Sequence, residues 1–251
     1  MPGQPVSGPR TVLVGAGRAG GAFHLALGDA GWPVELVGHD DLGSVTGGPD
    51  GPELVLLCVP DGAVAEVAAQ LPPDDARVVA HCAGSLGLDA LAGHPRVGSV
   101  HPLVSLPDAR SGAARLRGAW FAVAGDPVVA AVAEALEGRV VTVGDDRRAV
   151  YHAAAVVASN HLVALFGQVE RLAAAAGVPA EAYVALAGGS LDNAARLGAA
   201  AALTGPVARG DWDTVRRHLA AVDPSEHEAY LAVAGLAARL AGRELPPLRG
   251  G

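Results

Sequence analysis

A glycine-rich turn near the start of the chain constrains the fold most. The apolar run at 10–14 is followed at once by six residues in the order GxGxxG, and residues 21–31 have a helical pattern. These six residues are Gly15, Ala16, Gly17, Arg18, Ala19 and Gly20. In a strand–turn–helix unit of this kind the first glycine permits the tight turn, the second lets a pyrophosphate approach the backbone, and the third lets the helix pack on the strand. The sequence therefore predicts dinucleotide binding at residues 15–20, with the helix N-terminus facing the phosphates.

Short apolar runs alternate with helical runs over residues 1–145. Further strands are predicted at 34–37, 53–59, 77–80, 97–100, 120–124 and 139–143, with helices at 62–71 and 127–136. This alternation predicts an α/β domain with a doubly wound, mostly parallel sheet of the Rossmann type.

The pattern changes after Gly144, where strand patterns stop and helical runs rich in Ala and Leu take over. One helix is predicted over 145–177, and others near 179–200, 210–222 and 225–242. The sequence therefore predicts two domains: a Rossmann-like nucleotide-binding domain at 1–145 and an all-α domain at 146–251.

The charged residues and the cysteines exclude several function classes. All 18 basic residues are Arg, so the chain of 251 residues has no lysine for a Schiff base or a P-loop. The net charge of −8 and the absence of a basic stripe argue against nucleic acid as a partner. Two cysteines are too few for a disulfide scaffold and fit a reducing compartment. The N-terminus has no apolar stretch, so we expect a cytoplasmic protein.

A run at 149–169 without Asp, Glu or Arg is long enough to span a bilayer. Ser159, Asn160 and His161 lie in its middle, where polar groups are costly in lipid. We therefore expect a buried helix of a soluble protein and no membrane partner.

Ligands of parallel α/β sheets bind along the edge formed by the carboxyl ends of the strands. Residues at these ends are therefore candidates for cofactor contacts. Besides the glycine turn they are His39, Cys58, Val59, Pro60, Asp61, His81, Cys82 and Ala83. His101 ends the next strand, where a nicotinamide and substrate would lie, and we favour a functional role for it. A helix cap or a core imidazole explains His81 equally well, and the two cysteines are more typical of small buried hydrophobes than of a redox pair.

Gly38 stands where an NAD enzyme carries the carboxylate that binds the ribose 2′-hydroxyl. This favours NADP as the cofactor, with Arg18 as a second phosphate contact. Asp40 and Asp41 lie one and two residues beyond His39, and either would reverse the preference if it took the carboxylate's place.

Six segments together resemble a family of little-characterised bacterial oxidoreductases. They are VLVGAGRAGGAF, LLCVPDGAV, VVAHCAGSLGLDAL, GSVHPL, YHAAAVVASNHLVAL and LTGPVARGD. The resemblance covers nearly the whole chain and implies a Rossmann-like NADP-binding domain joined to a helical domain of the 6-phosphogluconate-dehydrogenase C-terminal type. Relatives of this family include ketopantoate reductase, pyrroline-5-carboxylate reductase and prephenate dehydrogenase. In such enzymes the helical domain forms a homodimer, and its long first helix completes the active site.

The resemblance also implies roles for individual residues. His101-Pro102 resembles the His-Pro of prephenate dehydrogenases, and His152 and Asn160 have the spacing of a Lys and an Asn in ketopantoate reductases. These three are the candidate catalytic residues, with no metal. The candidate substrate contacts are Ser159, Thr204, Gly205 and Arg209. On a regular α-helix Asn160 lies about 80° round from His152 and roughly 12 Å along the axis, so the two could hold the ends of a small substrate.

One segment departs from the family. Residues 41–51 are a short Gly/Pro-rich stretch where relatives have a helix and a strand, which thins the adenosine side of the pocket. The features together predict an NADPH-dependent reductase of a small carbonyl, such as a ketopantoate-like 2-oxo acid, or of an imine. The alternatives are a non-catalytic NADP-binding sensor and a deazaflavin-dependent oxidoreductase.

Overall fold

The computed structural model describes residues 8–45, 48 and 51–248. The chain divides into two compact units, Met1–Ser159 and Asn160–Gly251. The domain boundary predicted at 145/146 coincides with the start of a long helix, whereas the two units divide inside that helix, so the boundary stays a prediction. Residues 1–7 and residues 46, 47, 49 and 50 of the Gly/Pro-rich stretch lie outside the described residues.

The first unit contains a seven-stranded sheet. Its strands are β1 (Thr11–Val14), β2 (Val34–Val37), β3 (Leu54–Leu57), β4 (Val78–His81), β5 (Val97–Pro102), β6 (Trp120–Gly125) and β7 (Arg139–Thr142). Their order is β2-β1-β3-β4-β5-β6-β7, and every neighbouring pair is parallel except β5 and β6. The predicted doubly wound, mostly parallel sheet is confirmed.

Helices cover both faces of this sheet. They are α1 (Arg18–Asp29), α2 (Val64–Ala69), α3 (Ala109–Leu116) and α4 (Val128–Ala135). In β3, Leu54 and Leu56 pack with α1, α3 and α4, whereas Val55 and Leu57 pack with α2. Burial on both faces explains why the strands are continuous apolar runs in the sequence. Helix α3 was not predicted, because its segment ARSGAARL is short and half polar.

Helices make up the rest of the regular structure. They are α5 (Asp145–Val156), a π-helical segment (Val157–His161), α6 (Leu162–Ala175), α7 (Glu181–Leu197), α8 (Ala199–Ala202), α9 (Pro206–Arg209), α10 (Trp212–Ala221) and α11 (His227–Leu240). No strand follows Thr142 in the described part of the chain, so the predicted all-α region is confirmed. The second unit has a small core of its own, formed by Val207, Val215, Leu219, Ala234, Ala238 and Leu248.

Most apolar side chains of the long helix over Asp145–Ala175 are not buried, contrary to expectation. By length and composition it could cross a membrane, yet none of its most apolar window is buried within the chain. Val150 is 70% exposed and Val163 is 72% exposed. The prediction of a buried helix is therefore wrong for the single chain.

The π-helical segment changes the phase of this helix. Its hydrogen bonds run from residue i to i+5, so each turn holds more residues than an α turn. The rotation of 100° per residue assumed between His152 and Asn160 therefore does not apply across Val157–His161.

Candidate active site

Three glycines in the turn after β1 have three different environments. Gly15 has φ +108°, and a Cβ there would lie 2.8 Å from the carbonyl oxygen of Cys58. A Cβ on Gly20 would collide with the carbonyl oxygen of Gly15. Gly17 is different, because a Cβ there would meet nothing within 4 Å. The turn is thus tightly packed at its first and third glycines and open at its second, as a pyrophosphate-binding turn requires.

The turn lies at the point where the strand order reverses. β1 lies between β2 and β3, so the chain leaves β1 in one direction and continues on the other side after β2. The crevice outside the carboxyl ends of β1 and β3 is the nucleotide site of such sheets. Gly17 caps the N-terminus of α1 in this crevice, and the segment from Cys58 to Asp61 follows β3 beside it.

Two imidazoles lie close together further along the same edge. The ring centroids of His101, on β5, and His152, on α5, are 6.1 Å apart. Both rings border Gly84, which follows β4: a Cβ there would lie 2.7 Å from His152 Cδ2 and 2.8 Å from His101 Nε2. Gly84 therefore leaves room for the two imidazoles, and we call these three residues the imidazole pair and its glycine.

Tyr151 contacts the other side of the His101 ring. Its Oη lies 2.6 Å from His101 Nδ1, and the two rings meet edge to face with centroids 5.6 Å apart. His101 thus has one ring nitrogen against a phenol and the other towards Gly84.

A buried arginine lies one helical turn before Tyr151. Arg148 is 2% exposed, and its Nη2 donates to Ser99 Oγ at 2.6 Å and to the carbonyl oxygen of Val143 at 3.4 Å. Within the part of the chain that the structure describes, its Nε and Nη1 have no hydrogen-bond partner. Among the described residues no carboxylate forms an ion pair with it, so its positive charge is not cancelled by direct contact.

Burial and these neighbours shift the pKa values of the cluster. Desolvation, followed by the charges of His152 and Arg148, lowers the pKa of His101 to about 4, so this imidazole is neutral at pH 7. Desolvation raises the pKa of Tyr151 to about 12, while Arg148 acts in the opposite direction. Tyr151 is therefore a protonated phenol at neutral pH.

The structure favours a structural role for the side chain of His81. This residue is fully buried, its Nε2 lies 3.2 Å from the carbonyl oxygen of Gly87, and burial lowers its pKa. Its predicted cofactor contact stays a prediction. Cys58 is buried beside Cys82, and both are free thiols; the hydrogen bond between them and burial raise the pKa of Cys58.

Asp61 and the residues after β2 complete the predicted cofactor edge. Asp61 accepts a hydrogen bond from Ser85, which joins the segments after β3 and β4. A Cβ at Gly38 would meet nothing within 4 Å. The side chain of His39 is 61% exposed and pairs with Asp40, with His39 Nε2 3.3 Å from Asp40 Oδ1.

The remaining predicted residues lie elsewhere in the chain. Ser159, in the π-helical segment, donates to the carbonyl oxygen of Ala155 at 2.7 Å. The second unit contains four of the predicted residues. They are Asn160 in the π-helical segment, exposed Thr204, Gly205 with φ +95° at the N-cap of α9, and exposed Arg209.

Sequence reasoning missed Tyr151, Arg148 and Gly84. Residues three apart on a helix share a face, so Arg148 and Tyr151 could have been placed together. Their shared contact with β5 was not visible, because nothing local in the sequence aligns α5 with Ser99 and His101.

Comparisons with known proteins agree with this architecture. The family model described as a domain of unknown function (DUF2520) matches residues 120–236. The comparison with curated proteins gives no match.

Several solved structures have a similar fold. A Bacteroides fragilis protein assigned as an NADP oxidoreductase is 21% identical, with a TM-score of 0.76 over 92% of this chain and 98% of its own. A Thermotoga maritima protein is 25% identical, with a TM-score of 0.70 over the same shares. An imine reductase from Streptomyces aurantiacus is 17% identical, with a TM-score of 0.60 over 93% of this chain and 96% of its own. The chain therefore has the Rossmann-like fold with a helical C-terminal region found in these structures.

Proposed function

We propose that the protein is an NADPH-dependent reductase of a small carbonyl or imine compound. One observation carries the proposal: the glycine turn is open only at Gly17, at the strand-order reversal, on the same sheet edge as the imidazole pair. Similarity of fold to NADP oxidoreductases and imine reductases supports it. A sensor would need the nucleotide crevice but not a neutral imidazole flanked by a phenol beside it.

The described residues fit a dinucleotide cofactor. The N-terminus of α1 and the turn at 15–20 would hold the pyrophosphate, because a helix of twelve residues directs unpaired N–H groups and positive dipole there. The segments after β3 and β4 would border the nicotinamide, through Cys58, Val59, Pro60, Asp61, Cys82 and Ala83. When bound, the cofactor supplies the hydride.

The choice of NADPH over NADH rests on the end of β2. Gly38 presents no side chain there, so no carboxylate repels a 2′-phosphate at that position. His39 and Arg18 are both exposed and could contact the phosphate. The carboxylate of Asp40 lies beside His39, with Oδ1 3.3 Å from His39 Nε2, so Asp40 is the residue that would oppose a 2′-phosphate here.

A reduced carbonyl needs a proton at its developing alkoxide, and the imidazole pair is the proposed source. His101 and His152 are the proposed catalytic residues, together with Asn160. Ser159, Thr204, Gly205 and Arg209 are proposed to bind substrate. A 2-oxo acid of the ketopantoate type is the first substrate to try.

We also propose a cytoplasmic homodimer that forms through the helical region. Exposed apolar side chains on α6 and α7 support this, since Val163 is 72% and Leu186 is 65% exposed in the single chain. An apolar surface of this kind is usually covered in a soluble protein.

The proposal is tested by following the absorbance of reduced nicotinamide with a panel of 2-oxo acids, other ketones and imines. We expect NADPH oxidation with at least one carbonyl or imine class, and its loss in His101→Asn. NADPH binding without turnover of any panel member would support the sensor instead. Turnover only with a reduced deazaflavin would identify the other alternative.

A further inference from the structure

We propose that Tyr151 is a positioning residue that fixes the tautomer of His101, so that the imidazole carries its proton on Nε2 and acts as a neutral proton donor. The proposal deepens the proposed reductase function by naming the state of its proton donor. Its first test does not depend on that function.

The hydrogen bond between Tyr151 and His101 is the first observation that supports the proposal. Tyr151 Oη and His101 Nδ1 are 2.6 Å apart, well within hydrogen-bond distance. The hydrogen-bond partner of one imidazole nitrogen determines which of the two nitrogens carries the proton. A phenol that donates to Nδ1 occupies its lone pair and leaves the proton on Nε2.

The surroundings favour the phenol as the donor. The pKa of Tyr151 is raised to about 12 and that of His101 is lowered to about 4, so both groups are neutral at pH 7. The groups whose charges shift the pKa of His101 are His152 and Arg148 on α5, Asp61 after β3 and His81 on β4. Arg148 is buried, and its Nε and Nη1 are unpaired among the described residues. Its positive charge opposes an imidazolium at His101 and favours the neutral ring.

The orientation of the His101 ring is the second observation that supports the proposal. With Nδ1 against Tyr151, Nε2 points to Gly84, at the edge shared with His152. A side chain at position 84 would occupy this space. The glycine therefore lets His101 keep this orientation, in which Nε2 is the nitrogen proposed to meet a substrate oxygen.

The proton balance follows from this geometry. After hydride transfer to the carbonyl carbon, the Nε2–H bond breaks as an O–H bond forms on the alkoxide. Nδ1 takes the phenolic proton in the same step, so the imidazole stays neutral and Tyr151 becomes a phenolate stabilised by Arg148. When the alcohol has left, solvent protonates Nε2 and Nδ1 returns its proton to Tyr151.

The test is ¹⁵N NMR of the full-length protein labelled at its nine histidines, with His101→Asn used to assign the His101 signals. The ¹⁵N shifts distinguish the two neutral tautomers and the imidazolium. We expect the Nε2–H form from pH 5.5 to 8, and in Tyr151→Phe a mixture of tautomers. An Nδ1–H form in the unmodified protein, or an Nε2–H form unchanged in Tyr151→Phe, would overturn the proposal.

Turnover gives an independent readout. In Tyr151→Phe we expect kcat to fall about 10- to 100-fold with KM nearly unchanged, because the tautomer and not the substrate contact is lost. If no reductase activity is found, the proposed function fails while the tautomer result still decides the role of Tyr151. Circular dichroism of Tyr151→Phe excludes misfolding, and the measurement on the unmodified protein needs no variant.

Discussion

The two compact units differ in where their apolar side chains lie. In the first unit, Leu54 and Leu57 on β3 are fully buried between helices on the two faces of the sheet. In the second, Val163 on α6 and Leu186 on α7 are 72% and 65% exposed. A sheet covered on both faces forms its core within one chain, whereas the helices leave an apolar surface that a partner would cover. The imidazole pair in the first unit can thus be changed separately from the exposed apolar side chains of α6 and α7.

The largest effect is expected at His101. Because it is the proposed proton donor, His101→Asn should lower kcat about 10²–10⁴-fold. Association through the helical region should be unaffected, which light scattering can check. Replacing the other imidazole of the pair, in His152→Ala, should also lower kcat. Full activity in both variants would show that the imidazoles only pack against each other.

Glycine substitutions in the two units should change the stability of the protein in opposite directions. Gly15→Ala is expected to lower stability by at least about 1–3 kcal/mol, because of the positive φ and the contact with Cys58. Gly17→Ala meets no atom within 4 Å and should leave Tm unchanged. Gly188→Ala, in an open position on α7, should raise stability by up to about 1 kcal/mol. Thermal unfolding of the three variants measures this; equal Tm values for Gly15→Ala and Gly17→Ala would contradict the account of the turn.

Acid should destabilise the first unit through His101. Its pKa is about 4 in the folded protein, against an ordinary value of about 6.5. As pH falls from 6.5 to 4, the unfolded chain therefore takes up the proton first, and the free energy of unfolding decreases. The lowered pKa of His81 acts in the same direction, so the contribution of His101 is the difference between the unmodified protein and His101→Asn. Urea unfolding between pH 7 and pH 4 should show the flatter dependence in the variant, and identical slopes would contradict burial of a neutral His101.

The smallest expected effect is the twofold difference in mass between a monomer and a dimer. We expect a dimer of twice 24.9 kDa at micromolar concentration. Leu186→Asp should dissociate it, whereas Leu25→Asp, on the exposed side of α1, should not. A monomer in the unmodified protein would refute the proposed association and leave the apolar surface without an occupant.

Local patterns were enough to predict the sheet and the glycine turn between β1 and α1. Gly15, Gly17 and Gly20 were assigned three separate roles, and the packing around each glycine agrees with its role. The contact between Tyr151 and His101 could not be predicted, because fifty residues separate them and only the packing of α5 on β5 brings them together. The apolar pattern of the long helix indicated burial without saying whether the same chain provides it, and its most apolar window is not buried within the single chain.

The central claim is that the turn at 15–20 binds NADPH, and calorimetric titration tests it most directly. Gly17 has φ −78° and ψ −165°, which other residues adopt, so Gly17→Val should fold normally while its side chain occupies the pyrophosphate position. Gly188→Val, also in open space, is the matched control. We predict that the unmodified protein and the control bind NADPH more tightly than NADH, and that Gly17→Val binds neither. Unchanged NADPH affinity in Gly17→Val would contradict the account.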